Sequence, residues 1–175
     1  MPRLDPDRIH YLPADLHRWD YHVDGDLVVL PLWSDVRPLR GPVGLCDWRL
    51  GGQLSTMIRE ERLSGAAKEK TLLKTPRMPW GQLLLLGIGP KSEFSIPVFR
   101  EAITDALESI QGMGSTSPAL ALPGRDLELI SPDAAINELL GLDLPFLNRK
   151  TFPFITLLDL PLVLKNMRTV AMNHA

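Results

Sequence analysis

The chain has 175 residues, 45 % hydrophobic and 23 % charged, with a net charge of −2. That length and composition suit one globular domain with a sizeable core, and they exclude the basic signature of a general nucleic-acid or anionic-membrane binder. Cys46 is the only cysteine, which excludes an internal disulfide and any zinc-finger spacing. The opening residues MPRLDPDRIHY hold prolines and acids where a signal peptide needs an apolar run. No stretch reaches the roughly 20 apolar residues of a membrane span. A cytoplasmic protein with no membrane or nucleic-acid partner is expected.

In chain order, Arg8–Leu12 reads as a short strand and Pro13–Trp19 as a helical turn or two, with Pro13 at its start. Asp24-Gly25-Asp26 is a turn. Asp26–Leu32 (DLVVLPL) is apolar on both faces, as a strand inside a parallel sheet must be. Ser34–Pro42 (SDVRPLRGP) is a loop by composition. From Val43 the apolar positions Cys46, Leu50, Leu54, Met57 and Ile58 share one helical face. Gly51 and Gly52 interrupt that helix, and close approach to the sheet is the expected reason. Glu69–Lys74 is a weak strand and Gln82–Gly87 (QLLLLG) a strong one. Ser95 caps a helix with Pro97 in its first turn and a stripe of Ile96, Phe99, Ile103, Ala106, Leu107 and Ile110. Pro118–Leu122 is a further strand, and Ser131-Pro132-Asp133 starts another helix, ending near Gly141. Leu142–Pro153 carries no clear signal. Phe154–Leu158 is the last strand, after which Asp159 is expected to cap a terminal helix with a stripe of Leu160, Leu164, Met167 and Ala171. Strands alternating with helices predict an α/β sheet covered on both faces, built as a single domain over residues 1–175.

Four sets of residues invite a chemical reading. His17, Asp20, His22 and Asp24 are dense in ligand types, but five-residue spacing does not place both histidines on one helical face, so no metal site is expected. Gly87-Ile88-Gly89 ends a buried strand before a helix, where open α/β sheets hold phosphates. Pro90 removes one N–H donor there, and Ser92 leaves the glycine fingerprint incomplete. Arg37 and Arg40 follow the other strong strand and open at the same sheet edge if the two strands are parallel. Arginine forks there would suit phosphate or carboxylate, with pairing to Asp35, Asp47 or a second subunit as the simpler use. Arg37, Arg40, Gly87 and Gly89 are the candidate ligand-binding residues. Cys46 lies on an apolar stripe and reads as a core thiol. Trp33 and Trp48 read as packing or interface residues.

Three segments in order carry a resemblance: LVVLPLW, then GLCDWRLGGQLSTMI, then LLLLGIGP followed by REAITDAL. Together they resemble the N-terminal domain of the leucyl (cytosol) aminopeptidases, over roughly Asp26 to Gly124. The resemblance implies a macro-domain-like, three-layer α/β/α fold with a mixed, mainly parallel central sheet. In that family peptide hydrolysis belongs to a separate C-terminal domain, whose Lys/Asp/Glu ligands hold two metals about 3.5–4 Å apart. No Asn-Thr-Asp-Ala-Glu-Gly-Arg motif is present in this sequence. The expectation is a stand-alone, non-catalytic homologue without a cofactor. Its role would be protein interaction, oligomerisation or regulation, by self-association or docking to a separate peptidase chain. The competing reading is a macro-like module that binds ADP-ribose or a nucleotide.

Overall fold

The computed structural model describes residues 2–21, 25–147 and 152–174. Six strands form one sheet in the order β1-β6-β5-β2-β4-β3. They are β1 (Ile9–Pro13), β2 (Leu27–Trp33), β3 (Lys70–Lys74), β4 (Gln82–Gly89), β5 (Pro118–Ala121) and β6 (Ile155–Asp159). Every pairing is parallel except that of β3 with β4. The sheet is therefore mixed and mainly parallel, as the alternating pattern predicts. Both strong runs lie inside it: β2 sits between β5 and β4, and β4 between β2 and β3.

Alternate residues of these strands feed two cores. Leu27 and Val29 of β2, with Leu84 and Leu86 of β4, face one side. There they meet α4 (Ile96–Gly112), α5 (Pro132–Gly141) and α6 (Pro161–Met172). Val28, Leu30, Leu83 and Leu85 face the other side. That core is closed by α1 (Leu16–Trp19), α2 (Gly41–Arg49) and α3 (Gln53–Arg59). The period-two alternation of a strand buried on both faces explains why these segments show no polar side. The Ser95 and Ser131 hydroxyls accept from the Val98 and Ala134 amides, so both predicted caps form. The stripe from Phe99 to Ile110 is fully buried. At the antiparallel edge, β3 carries Lys70 and Lys74 at its ends, charges that discourage further strand pairing.

Two expectations need correction in full and two in their bounds: Pro13 ends β1, with Asp15 capping α1, and Leu160 is exposed and outside the buried stripe of α6. The helix after Val43 is two helices, broken at Gly51 and Gly52, whose φ angles of 67° and 80° lie in the left-handed region. A Cβ added at either would meet nothing within 4 Å, so backbone conformation and not close packing requires glycine there. Second, Asp159 does not cap α6: Leu160 occupies the cap position, with no side-chain bond. The Asp159 carboxylate instead turns inward to Arg125.

Of the predicted turn at Asp24-Gly25-Asp26, Asp24 lies outside the described residues, and Asp26 knots β2 to the approach to β5. Its carboxylate accepts from the Ser115 hydroxyl and from the amides of Thr116 and Ser117. Burial works to raise this carboxyl, but those bonds outweigh it and hold Asp26 below the ordinary carboxylate range. A depressed folded-state value gives stability that is present above the unfolded value of 3.8 and is lost as pH falls through the folded one. Asp26→Ala is expected to cost about 2 kcal/mol at neutral pH, with solvent access moderating the effect. The gap from the parent protein should close below about pH 4 in urea titrations.

Candidate functional site

The chain leaves β2 toward β4 on one side and reaches β5 on the other. The C-terminal ends of β2 and β5 thus form a topological switch point, where open α/β sheets leave a crevice. A cavity of about 390 Å³ lies there. Pro31, Val43, Ala121, Leu122 and Leu158 supply its apolar wall. Its polar groups are Arg40, Arg125, Asp126, Glu128 and Asp159.

Arg125 and Asp159 form a buried ion pair, Nε to Oδ2 at 3.0 Å, with each side chain only 8 % exposed. Arg125 Nη1 also donates to the Ile130 carbonyl, and Asp159 Oδ1 accepts from the Leu160 amide. Burial pushes the Asp126 carboxyl up, while it accepts from Trp33 Nε1 at 3.0 Å. Trp33 is itself buried, edge-on to Phe94. Gly41, at φ 62°, starts α2 directly against this carboxylate: an added Cβ would lie 2.8 Å from Asp126 Cβ. Two helix N-termini reach the cavity, those of α2 and α6. Neither has a side-chain cap bond, unlike α1, α4 and α5. The orphan amides of an uncapped first turn carry partial positive charge.

Of the four candidate ligand-binding residues, the structure brings Arg40 alone to this cavity. Arg37 turns away toward a groove beside Gly51 and Gly52. Its guanidinium donates to the carbonyls of Trp33, Val36 and Ser64, and neither Asp35 nor Asp47 pairs with it. Asp35 instead accepts from the Lys91 amide, and Asp47 caps α3 through the Leu54 and Ser55 amides. Gly87 and Gly89 lie under the 65–69 segment. The Gly87 amide donates to the Glu69 carbonyl at 2.7 Å and the Gly89 amide to the Gly65 carbonyl at 2.9 Å. Those donors are engaged within the fold.

Asp20 pairs with Arg49 at 2.7 Å and His17 packs edge-on against Tyr21, while His22 and Asp24 lie outside the described residues. Among the described residues no group of three or more His, Cys, Asp or Glu could hold a metal ion. Cys46 is fully buried, and burial followed by the Asp47 charge pushes its thiol up, as suits a core residue. Trp48 stands 75 % exposed. No helix among the described residues is long and apolar enough to cross a membrane.

Sequence reasoning missed Arg125, Asp126 and Glu128, and it assigned Asp159 another role. The available signal was positional: charged residues directly after β5 (LPGRD) and at the end of β6 (LLD), where parallel strands present their ligand edge.

Comparison with known proteins places these features. Residues 31–141 match the model of the cytosol aminopeptidase family, N-terminal domain. A probable cytosol aminopeptidase of Thermosynechococcus vestitus is 26 % identical over 134 residues, covering 75 % of this chain and 26 % of that protein. One from Geobacter sp. is 32 % identical over 98 residues, or 55 % of this chain and 20 % of that protein. The chain thus spans about a quarter or less of the length of these relatives. Among solved structures, a tomato leucine aminopeptidase mutant superposes with a TM-score of 0.59 at 18 % identity, covering 97 % of this chain and 36 % of that one. A Trypanosoma brucei macrodomain in complex with ADP gives 0.68 at 15 % identity, with 93 % and 67 % covered. The fold is macro-domain-like.

Proposed function

Because this chain belongs to the cytosol aminopeptidase family through that family's N-terminal domain, we propose that it acts as a non-catalytic interaction module in the cytoplasm. Its output is oligomerisation or regulation, and its partner is a second copy or a separate peptidase chain. The observation that carries this reading is the lip of the cavity. Leu160 lines that lip and is 58 % exposed, and Leu162, in the first turn of α6, is 72 % exposed. Exposed leucines beside a concavity make the apolar centre of an association face. The family match supports the non-catalytic part, because it lies in the N-terminal domain and not in the part to which the resemblance assigns hydrolysis.

Light scattering on the chain alone, and mixed with a cytosol aminopeptidase, tests the proposal. The expected result is a mass above the 19.5 kDa of one chain for the chain alone, or co-elution of the chain with the aminopeptidase on a sizing column, either one lost in Leu162→Glu. The mass of one chain alone at all concentrations, with no co-elution with the peptidase, would overturn it.

The cavity favours a second reading, a small-ligand module for ADP-ribose or a nucleotide. The likeness to macrodomains solved with ADP supports this reading at the level of fold. Arg40 lines the cavity and is the candidate residue this reading would use, since the donors of Arg37, Gly87 and Gly89 are already bonded elsewhere. ADP-ribose stabilisation that disappears in Arg40→Ala would favour this reading; no stabilisation would remove it.

A further inference from the structure

The charges around the cavity have both signs. Arg125 is about nine-tenths buried, and its Nε and Nη1 are bonded to Asp159 and Ile130. Its Nη2 donors have no acceptor among the described residues. Arg40 and the uncapped N-terminus of α2 add positive character at the same mouth. Asp159 is matched by Arg125, whereas Asp126 and Glu128 face the cavity with no cationic partner among the described residues. Gly41 holds the first turn of α2 directly against Asp126, so the positive helix end and a carboxylate are neighbours.

These features discriminate between ligand classes. A diphosphate would meet the like charges of Asp126 and Glu128, which oppose its binding. A wholly apolar guest would leave the Arg125 donors and the α2 amides unmatched, which costs affinity. A molecule with one carboxylate, one ammonium and an apolar body satisfies every group present. The volume of about 390 Å³ falls in the ordinary range for a small ligand.

We propose that this cavity binds a small apolar zwitterion, a free apolar α-amino acid or a short apolar peptide. Its carboxylate faces Arg125, Arg40 and the start of α2, and its ammonium faces Asp126 and Glu128. This rests on the regulatory form of the function proposed above, with the ligand as the regulating signal.

The test is calorimetry and thermal melting of the full chain with L-leucine, leucyl-leucine, leucine amide, N-acetyl-leucine and ADP-ribose. Leucine or leucyl-leucine should raise Tm by about 5 °C at a hundredfold excess over Kd. The tighter of the two identifies the source. Leucine amide, lacking the carboxylate, and N-acetyl-leucine, lacking the ammonium, should each bind at least about tenfold more weakly, the value of one lost charged contact. Arg40→Ala should weaken binding by a similar factor with the unliganded Tm unchanged, because that side chain is exposed and makes no cap bond to α2. Ala14→Phe, which fills the cavity from its rim, should abolish binding. No shift with either zwitterion at about 10 mM, binding of either capped analogue as tightly as the zwitterions, or stabilisation by ADP-ribose alone would each overturn the proposal. The light-scattering mass is read without ligand, so association can succeed where this fails, and the two failures are told apart.

Discussion

Gly87→Ala should cost about 4 kcal/mol or leave the chain unfolded, because a methyl group at this position has nowhere to go. The 65–69 segment crosses directly over β4 there. An added Cβ would fall inside the Ala66 carbonyl oxygen and 2.9 Å from the carbonyl carbons of both Ala66 and Gly65. All the obstructing atoms are backbone. They are tied in place by bonds from Gly87 to Glu69, from Lys68 to Gly87 and from Gly89 to Gly65. The Glu69 carboxylate then clamps the same crossing through the Ser64 amide and hydroxyl and the Gly65 amide. Relief requires several main-chain hydrogen bonds to break together. Urea titration should show the midpoint collapse, and Gly112→Ala is the control. Gly112 sits in the last turn of α4 with nothing within 4 Å of an added Cβ, so this change should stabilise by about 0.5–1 kcal/mol. A cost below about 1 kcal/mol for Gly87→Ala would show that the crossing segment is not fixed.

The second large effect lies under the cavity. Arg125→Met should cost about 3–5 kcal/mol, because it strands the Asp159 carboxylate in a site where each partner is only 8 % exposed. The Ile130 carbonyl also loses its donor. The double variant Arg125→Met, Asp159→Leu removes both charges and should recover most of the loss, since a buried pair is costly to break but not to replace with packed apolar groups. A double variant as unstable as the single one would mean that Arg125 acts through shape and not through its partner.

Much of the fold is legible because its determinants are local. The runs of β2 and β4 lie inside the sheet because neither has a polar face, and α4 is fixed by Ser95, Pro97 and one apolar stripe. Gly51 and Gly52 were visible as breakers, but the left-handed φ that requires them was not, so one helix was expected where two form. The site depends on non-local pairing. Arg125 and Asp159 are 34 residues apart, and nothing in either neighbourhood announces the other. Asp159 read alone is a reasonable helix cap, and only the parallel pairing of β5 with β6 brings it to Arg125. Gly87 and Gly89 have the same limitation. Their strand-end position fits a phosphate turn, until a segment about 20 residues earlier in the chain is seen to take their amides.

The proposed function has this chain bind and not catalyse. Its most direct test is hydrolysis of leucine amide by the purified chain with added zinc, manganese or magnesium. Among the described residues no acidic cluster could hold even one such ion, and the reaction in this family calls for two, so no turnover above buffer is expected. Metal-dependent hydrolysis that stays with the protein through purification, and disappears when one of its own carboxylates is replaced, would contradict the account.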